Sequence, residues 1–279
     1  MTKLTVSCLQ MCTVPDVATN NKAIADGVAE AVGKGAQLVS LPEAANILLL
    51  DNMRYPMECV FEEEDTTLAL CRELARRHGI WMHAGSLLVR QREGSRVWNR
   101  TFLIAPDGRI VARYDKLHTF DVALGGGYDF QESAAVAPGS GAVVADIGST
   151  KLGLSICYDL RFAYLFRALA QAGAEILLIP AAFSPATGPV HWEPLLKARA
   201  IETGSFVIAA AQTGTHEGDL TSHGHSAIVS PFGEVLAEGG TEPGLITATL
   251  ELDEVAGMRR RLPCLTQDRD FGTVEVIRA

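Results

Sequence analysis

The chain has 279 residues, 48% of them hydrophobic, and a formal charge of −9 from 24 Lys+Arg against 33 Asp+Glu. That length and apolar share suffice for one sizeable core, so one large α/β domain over residues 1–279 is expected. An acidic surface without a basic run argues against nucleic acid as a partner, and no stretch is long and apolar enough to span a membrane, while small anionic substrates stay open because they meet only the local field of a pocket.

Lys3–Met11 alternates apolar and polar residues and is predicted as a strand; its polar interruptions leave no signal-peptide core. A helix is expected from Asn20, as N-cap, to about Gly33. Leu38–Leu41 is a short buried strand ending at Pro42-Glu43. Asp65 caps a second helix to His78, with Gly79 at its stop and Leu68, Cys71, Leu74 and Ala75 on one face. Ile80–Val89 follows as a strand. Val97–Ala105 and Ile110–Leu117 flank Pro106-Asp107-Gly108-Arg109, a hairpin with Pro and Gly in its turn. Residues 118–141 form a long loop containing Gly125-Gly126-Gly127, a candidate lid, since loops of this length in compact domains are usually functional or mobile. Strands Ala142–Ile147 and Leu152–Cys157, helix Ala163–Ala172 stopped by Gly173, strand Ile176–Ile179, helix Trp192–Thr203 and strand Ser205–Ala211 come next. Ser226–Ser230 and Glu234–Leu236 around Pro231-Phe232-Gly233 make a second hairpin. The paired hairpins, and the echo of Leu38-Val39-Ser40-Leu41-Pro42 in Leu177-Leu178-Ile179-Pro180, suggest two half-domains, each a sheet with helices on one face. Packed sheet to sheet they give a four-layer α-β-β-α sandwich. The tail after Pro263 has little helical pattern and is a candidate arm on a neighbouring subunit.

The six cysteines (Cys8, Cys12, Cys59, Cys71, Cys157 and Cys264) are scattered and mostly sit in apolar runs, which points to reduced thiols in a cytoplasmic protein. No third donor accompanies His223 and His225, so no metal site is expected. Gly125-Gly126-Gly127 lacks the Gly-Lys-Ser/Thr of a phosphate loop. Glu43, Lys116 and Cys157 each stand where a strand hands over to a loop, the place where α/β folds put their pockets. Taken singly, each has a bland reading: inert core cysteine, helix N-terminal acid, solvated hairpin lysine.

Their contexts change this. Leu41-Pro42-Glu43, Arg113-Tyr114-Asp115-Lys116-Leu117-His118 and Gly153-Leu154-Ser155-Ile156-Cys157-Tyr158-Asp159-Leu160-Arg161-Phe162 occur in this order and resemble the three signature segments of nitrilase-like carbon–nitrogen hydrolases. Phe130-Gln131-Glu132-Ser133, Pro138-Gly139, Gly188-Pro189-Val190-His191-Trp192-Glu193, Arg199-Ala200-Ile201-Glu202-Thr203 and the segment from Gly224-His225-Ser226 to Val235 extend the likeness over nearly the whole chain. Within that superfamily the chain looks most like the deaminated-glutathione amidases and omega-amidases. The resemblance implies a Cys157 nucleophile, a Glu43 proton shuttle and a Lys116 cation beside the developing oxyanion, with the Tyr158 N–H as second donor. It further implies that Glu132 orients Lys116 or the substrate, that Arg161 holds a substrate carboxylate, and that Phe183 and Thr187 line the substrate site. Burial beside a thiol is expected to raise the Glu43 pKa toward neutrality. The implied reaction cleaves the omega-amide of a dicarboxylate monoamide, or of deaminated glutathione, to acid and ammonia through a thioester, with no metal or organic cofactor. The implied assembly is a homodimer. Tyr158-Asp159 after the cysteine, where nitrile-acting members tend to carry Trp-Glu, argues for amides over nitriles, and an intact Glu43, Lys116 and Cys157 argues against a catalytically silent scaffold.

Overall fold

The computed structural model describes residues 2–125 and 129–278. The first half of the chain supplies β1 (Lys3–Gln10), α1 (Val17–Gly33), β2 (Leu38–Ser40), the single turn α2 (Tyr55–Glu58), α3 (Thr66–His78), β3 (Trp81–His83), β4 (Leu87–Arg90), β5 (Val97–Ile104), β6 (Ile110–Asp115), β7 (Asp121–Val122), β8 (Phe130–Gln131) and β9 (Val136–Ala137). The second half supplies β10 (Val143–Asp146), β11 (Lys151–Leu154), α4 (Ala163–Gln171), β12 (Ile176–Leu178), α5 (Gly188–Thr203), β13 (Phe206–Ala209), β14 (Thr213–Thr215), β15 (Thr221–His223), β16 (Ala227–Val229), β17 (Val235–Glu238), β18 (Gly244–Glu251) and α6 (Asp253–Arg261).

One sheet runs β18-β1-β2-β3-β5-β4, with β6 and β9 also paired to β5; the other runs β10-β11-β12-β13-β16-β17. The central strands β1, β2 and β3 are parallel, as are β11, β12 and β13. Such strands are covered on both faces, which is why β12 (Ile-Leu-Leu) and β13 (Phe-Val-Ile-Ala) are apolar at every position. In β1, period-two alternation sends Leu4, Val6 and Cys8 into one core with Leu152, Leu154, Ile176 and Leu178 of the other sheet. Leu9 points the other way, into a core with Ile24, Val28 and Ala31 of α1 and Leu68, Cys71 and Leu74 of α3. Phe166 and Leu169 of α4 and Trp192 and Leu196 of α5 close the far side of the second sheet. The layers are therefore helix, sheet, sheet, helix, as expected. No helix among the described residues is long and apolar enough to cross a membrane.

Several boundaries differ from the sequence reading. Helix α1 starts at Val17 with Asp16 as N-cap, its carboxylate accepting from the Thr19 N–H at 2.9 Å. Asn20 is not the cap. It is buried, accepting from the Val14 N–H and donating to the carbonyls of Val14 and Asn46. The Asp65 cap and the left-handed Gly79 stop stand as read. Ile80–Val89 is two strands, β3 and β4, because Gly85 turns the chain at φ +62 against the Leu41–Pro42 backbone; a Cβ there would lie 2.0 Å from the Pro42 oxygen. The loop 118–141 holds β7, β8, β9 and a 3₁₀ turn over Glu132–Ala134, and Gly126 and Gly127 of the candidate lid lie outside the described residues. The strand ending at Cys157 stops at Leu154, and α5 begins four residues before Trp192.

His83 of β3 is buried between the hydroxyls of Ser40 and Thr101, both at 2.8 Å. Burial pushes its pKa down to about 3. Because the folded value lies below the unfolded one, this histidine contributes stability in full above roughly pH 6.5 and loses it as pH falls toward 3. From pH 7 to pH 5 the cost is about 2 kcal/mol. Urea midpoints at the two pH values check this. His83→Asn, which does not titrate, should show a correspondingly smaller loss, and an equal loss in both proteins would assign the acid sensitivity elsewhere.

Candidate active site

Each of the three strand-end residues arrives by a separate route. Glu43 follows β2, and its placement depends on Gly85 letting the Leu41–Pro42 backbone approach. Lys116 follows β6, held by its N–H to the Asn99 backbone oxygen at 3.0 Å. Cys157 follows β11 in the other sheet and opens a 3₁₀ turn, Cys157–Arg161, at φ +47. This left-handed conformation is costly for a residue with a Cβ and persists only where the surroundings enforce it. Here they do: the Cys157 N–H donates to the Pro180 oxygen at 2.8 Å, and buried Asp159 locks the turn. The Asp159 carboxylate accepts from the Ile156 N–H at 2.8 Å, the Tyr114 hydroxyl at 2.6 Å and the His118 backbone and ring at 3.1 and 2.6 Å. One side chain thus ties the cysteine turn to the strand end that carries Lys116.

The Lys116 Nζ donates to Glu43 Oε1 at 2.8 Å and to Glu132 Oε2 and Oε1 at 2.8 and 3.1 Å. Asn99 Nδ2 reaches the same two carboxylates, at 2.8 Å to Glu43 Oε1 and 3.2 Å to Glu132 Oε1. Glu43 Oε2 accepts from the Ala182 N–H at 2.8 Å, and Glu132 Oε2 from the Phe120 N–H at 2.6 Å. Glu43, Lys116, Glu132 and Cys157 are all buried. Burial raises the Glu43 pKa, but the charge and hydrogen bond of Lys116, the Cys157 thiol and the Ala182 N–H together outweigh it and hold Glu43 below the usual carboxylate range. This corrects the expectation of a raised value: the ammonium in contact, with the thiol and the Ala182 N–H beside it, outweighs burial. For Lys116, burial works against the charge, and Glu132, Glu43 and Cys157 more than restore it. The Cys157 thiol is pushed up, by burial first and then by Glu43, against the smaller opposing effects of Lys116 and the Ala182 N–H. The resting site therefore holds an ionised Glu43, an ammonium and a neutral thiol.

All eight sequence-predicted residues line one cavity of about 370 Å³. At one end, the Arg161 guanidinium lies 5.2 Å from the Phe183 ring centroid and 5.9 Å from that of Tyr158. Its Nη2 donates to the Thr187 hydroxyl and its Nη1 to His191 Nδ1, both at 3.1 Å. No carboxylate pairs with it among the described residues. The Tyr158 N–H has no acceptor among the described residues. No group of three His, Cys, Asp or Glu side chains among them is placed to hold a metal ion. Asn99 and Ala182 were not singled out from the sequence. For Asn99 a signal existed: a buried Asn is unusual in a strand, and hairpin pairing of Arg100 with Asp115 sets Asn99 opposite Lys116. The Ala182 N–H is backbone and leaves no mark on residue choice.

The carbon-nitrogen hydrolase family model matches residues 5–260. The deaminated glutathione amidase of Synechocystis is 39% identical over 266 residues, covering 94% of this chain and 97% of that protein. An omega-amidase of Xenopus laevis is 34% identical, with coverage of 97% and 96%. Among solved structures, the C. elegans NitFhit protein superposes with TM-score 0.88 at 34% identity over 96% of this chain, which spans 65% of the NitFhit chain. An amidase from Nesterenkonia superposes with TM-score 0.77 at 30% identity, covering 93% of this chain and 95% of that one. With the family model spanning nearly the whole sequence and amidases on both sides of the comparison, the chain belongs to the carbon–nitrogen hydrolases, as an amide-cleaving member.

Proposed function

We propose that this enzyme hydrolyses an amide of a small carboxylate-bearing acid through a thioester on Cys157. Glu43 takes the thiol proton as sulfur attacks the carbonyl carbon. The Lys116 ammonium and the Tyr158 N–H receive the oxyanion. As the tetrahedral intermediate collapses, the C–N bond breaks and Glu43 returns its proton to the departing nitrogen. Water then attacks the thioester, giving up a proton to Glu43; the C–S bond breaks and the thiolate recovers that proton. A resting carboxylate beside a neutral thiol is the starting point this cycle needs. The names of the relatives favour an omega-amide or deaminated glutathione over a nitrile. For deaminated glutathione the cleaved amide is secondary, so an amine leaves in place of the expected ammonia, and assays should follow acid release.

The observation that carries the substrate class is Arg161, a guanidinium with no carboxylate partner among the described residues, in the same cavity as Cys157. Arg161→Ala should lower kcat/KM for a monoamide with a free carboxylate by about 2–3 kcal/mol, roughly 30- to 150-fold, the value of a charged hydrogen bond. Arg161→Lys should lose less, since it keeps the charge without the bidentate fork. The methyl ester of the same monoamide should be affected much less. An Arg161→Ala enzyme that still prefers the free acid would remove Arg161 as anchor and weaken the omega-amidase reading.

We further propose a homodimer. Tyr164 of α4, Val190 and Ile201 of α5, Phe232, and Leu262, Phe271, Val274 and Ile277 after α6 are large apolar side chains left exposed on the single chain. Light scattering at micromolar concentration should give twice the chain mass of 29.8 kDa, and a monomer would contradict the proposal.

A further inference from the structure

The two glutamates and Lys116 do not close their hydrogen bonding by themselves. Asn99 on β5 contributes its amide nitrogen, with Nδ2 at 2.8 Å from Glu43 Oε1 and 3.2 Å from Glu132 Oε1. Both neighbours are carboxylate oxygens, so the nitrogen must face them and the orientation of the amide is fixed by chemistry. The consequence falls on the other end. Asn99 Oδ1 is buried and has no hydrogen-bond partner among the described residues. Orphaned buried acceptors are costly, and a fold keeps one where the group's other end is needed.

The wiring shows what that end does. Glu43 Oε1 is engaged twice, by Lys116 Nζ and by Asn99 Nδ2. Glu43 Oε2 has a different neighbourhood: it accepts from the Ala182 N–H, two residues after Pro180, whose oxygen holds the Cys157 N–H, so Oε2 faces the segment that carries the thiol. We propose that Asn99 is a positioning residue that occupies Oε1 together with Lys116, stabilises Glu43 as carboxylate, and confines proton exchange with sulfur and substrate nitrogen to Oε2. Hairpin register makes this possible. Arg100 pairs with Asp115 across β5 and β6, and the Lys116 N–H donates to the Asn99 backbone oxygen, so the two donors stand side by side and span the same pair of carboxylates. The titratable groups facing Glu43 are Lys116, Glu132 and Cys157, with Tyr55, itself pushed up chiefly by burial, sensing both glutamates at longer range.

The inference rests on the reading of Glu43 as the base, and its test is the pH profile of kcat/KM, which rises from the acid side as Glu43 ionises. Asn99→Leu keeps the shape and removes both N–H donors. Losing a donor to the charged form raises a carboxylate pKa, so the acid limb should move up by about one pH unit or more. Asn99→Asp sets a third carboxylate against Glu43 and should move the limb further. A residue with a merely structural role would lower the whole profile and leave the limb in place. Asn99→Ser supplies the same test should Asn99→Leu fail to fold, since it removes the amide and leaves room for water. A limb at the wild-type position in either folded variant overturns the proposal. Glu43→Gln run alongside separates the two readings: residual activity that keeps the wild-type limb means that Glu43 is not the base, whereas loss of that limb with an unmoved Asn99 profile refutes Asn99 alone.

Discussion

Cys157→Ala is expected to bring amide turnover to background, a fall of about 10⁴-fold or more, while the protein folds as before. Alanine retains the Cβ, so the strain of the left-handed backbone at φ +47 is unchanged and only the sulfur is lost. The hydrogen bonds that lock the turn run through the Cys157 N–H and the Asp159 carboxylate, and the substitution touches neither. Cys157→Ser should be nearly as inactive, because Glu43, held below the usual carboxylate range, is far too weak a base for a serine hydroxyl. Single-turnover acid release and thermal unfolding of the same preparations check both halves. Substantial turnover by folded Cys157→Ala would end the thioester mechanism.

Lys116→Met should abolish activity and also destabilise the fold, with a distinctive pH dependence. Lys116 is a buried ammonium between two buried carboxylates, and removing it leaves Glu43 and Glu132 facing each other with Asn99 as their shared donor. Breaking a buried ion pair from one side costs about 3–5 kcal/mol. Burial and mutual repulsion then raise the folded pKa of the pair above its unfolded value, so folding takes up a proton. A group raised in this way is most favourable below its unfolded pKa and loses its contribution as pH rises through the folded pKa. The deficit relative to wild type should therefore be smaller at pH 5 than at pH 8. Chemical denaturation at both values reads this directly. An equal deficit would mean that the two carboxylates do not couple.

The layer order and the two sheets were legible because period-two strands and apolar parallel strands leave local marks, whereas Glu43, Lys116 and Cys157, each bland as a lone residue at a strand end, stood out only through the signature segments around them. What escaped was set by tertiary contact. The first turn of α1 carries polar residues on the side where Asn20 enters a loop, so its periodicity starts late. Gly85 reads as one small residue in an apolar run until the Leu41–Pro42 backbone is seen against it. The short pairs β7–β8 and β14–β15 have two or three residues a strand, too few for a pattern. The direction of the Glu43 pKa shift needed the Lys116 contact, which the sequence names but does not measure.

The site straddles a seam. Glu43, Asn99 and Lys116 are carried by the sheet of β1–β6 and Glu132 by the turn that leads into β9 on the same sheet, while Cys157 and Ala182 belong to the sheet of β10–β13, and the Ala182 N–H to Glu43 bond crosses between them. Turnover is thus a gauge of how closely the two halves are docked. In mild denaturant, a loosened state in which each sheet keeps its own ladder would retain far-ultraviolet circular dichroism yet expose the Cys157 thiol and fall silent. On refolding, the return of catalysis should time the closing of the sandwich, separately from the formation of its layers.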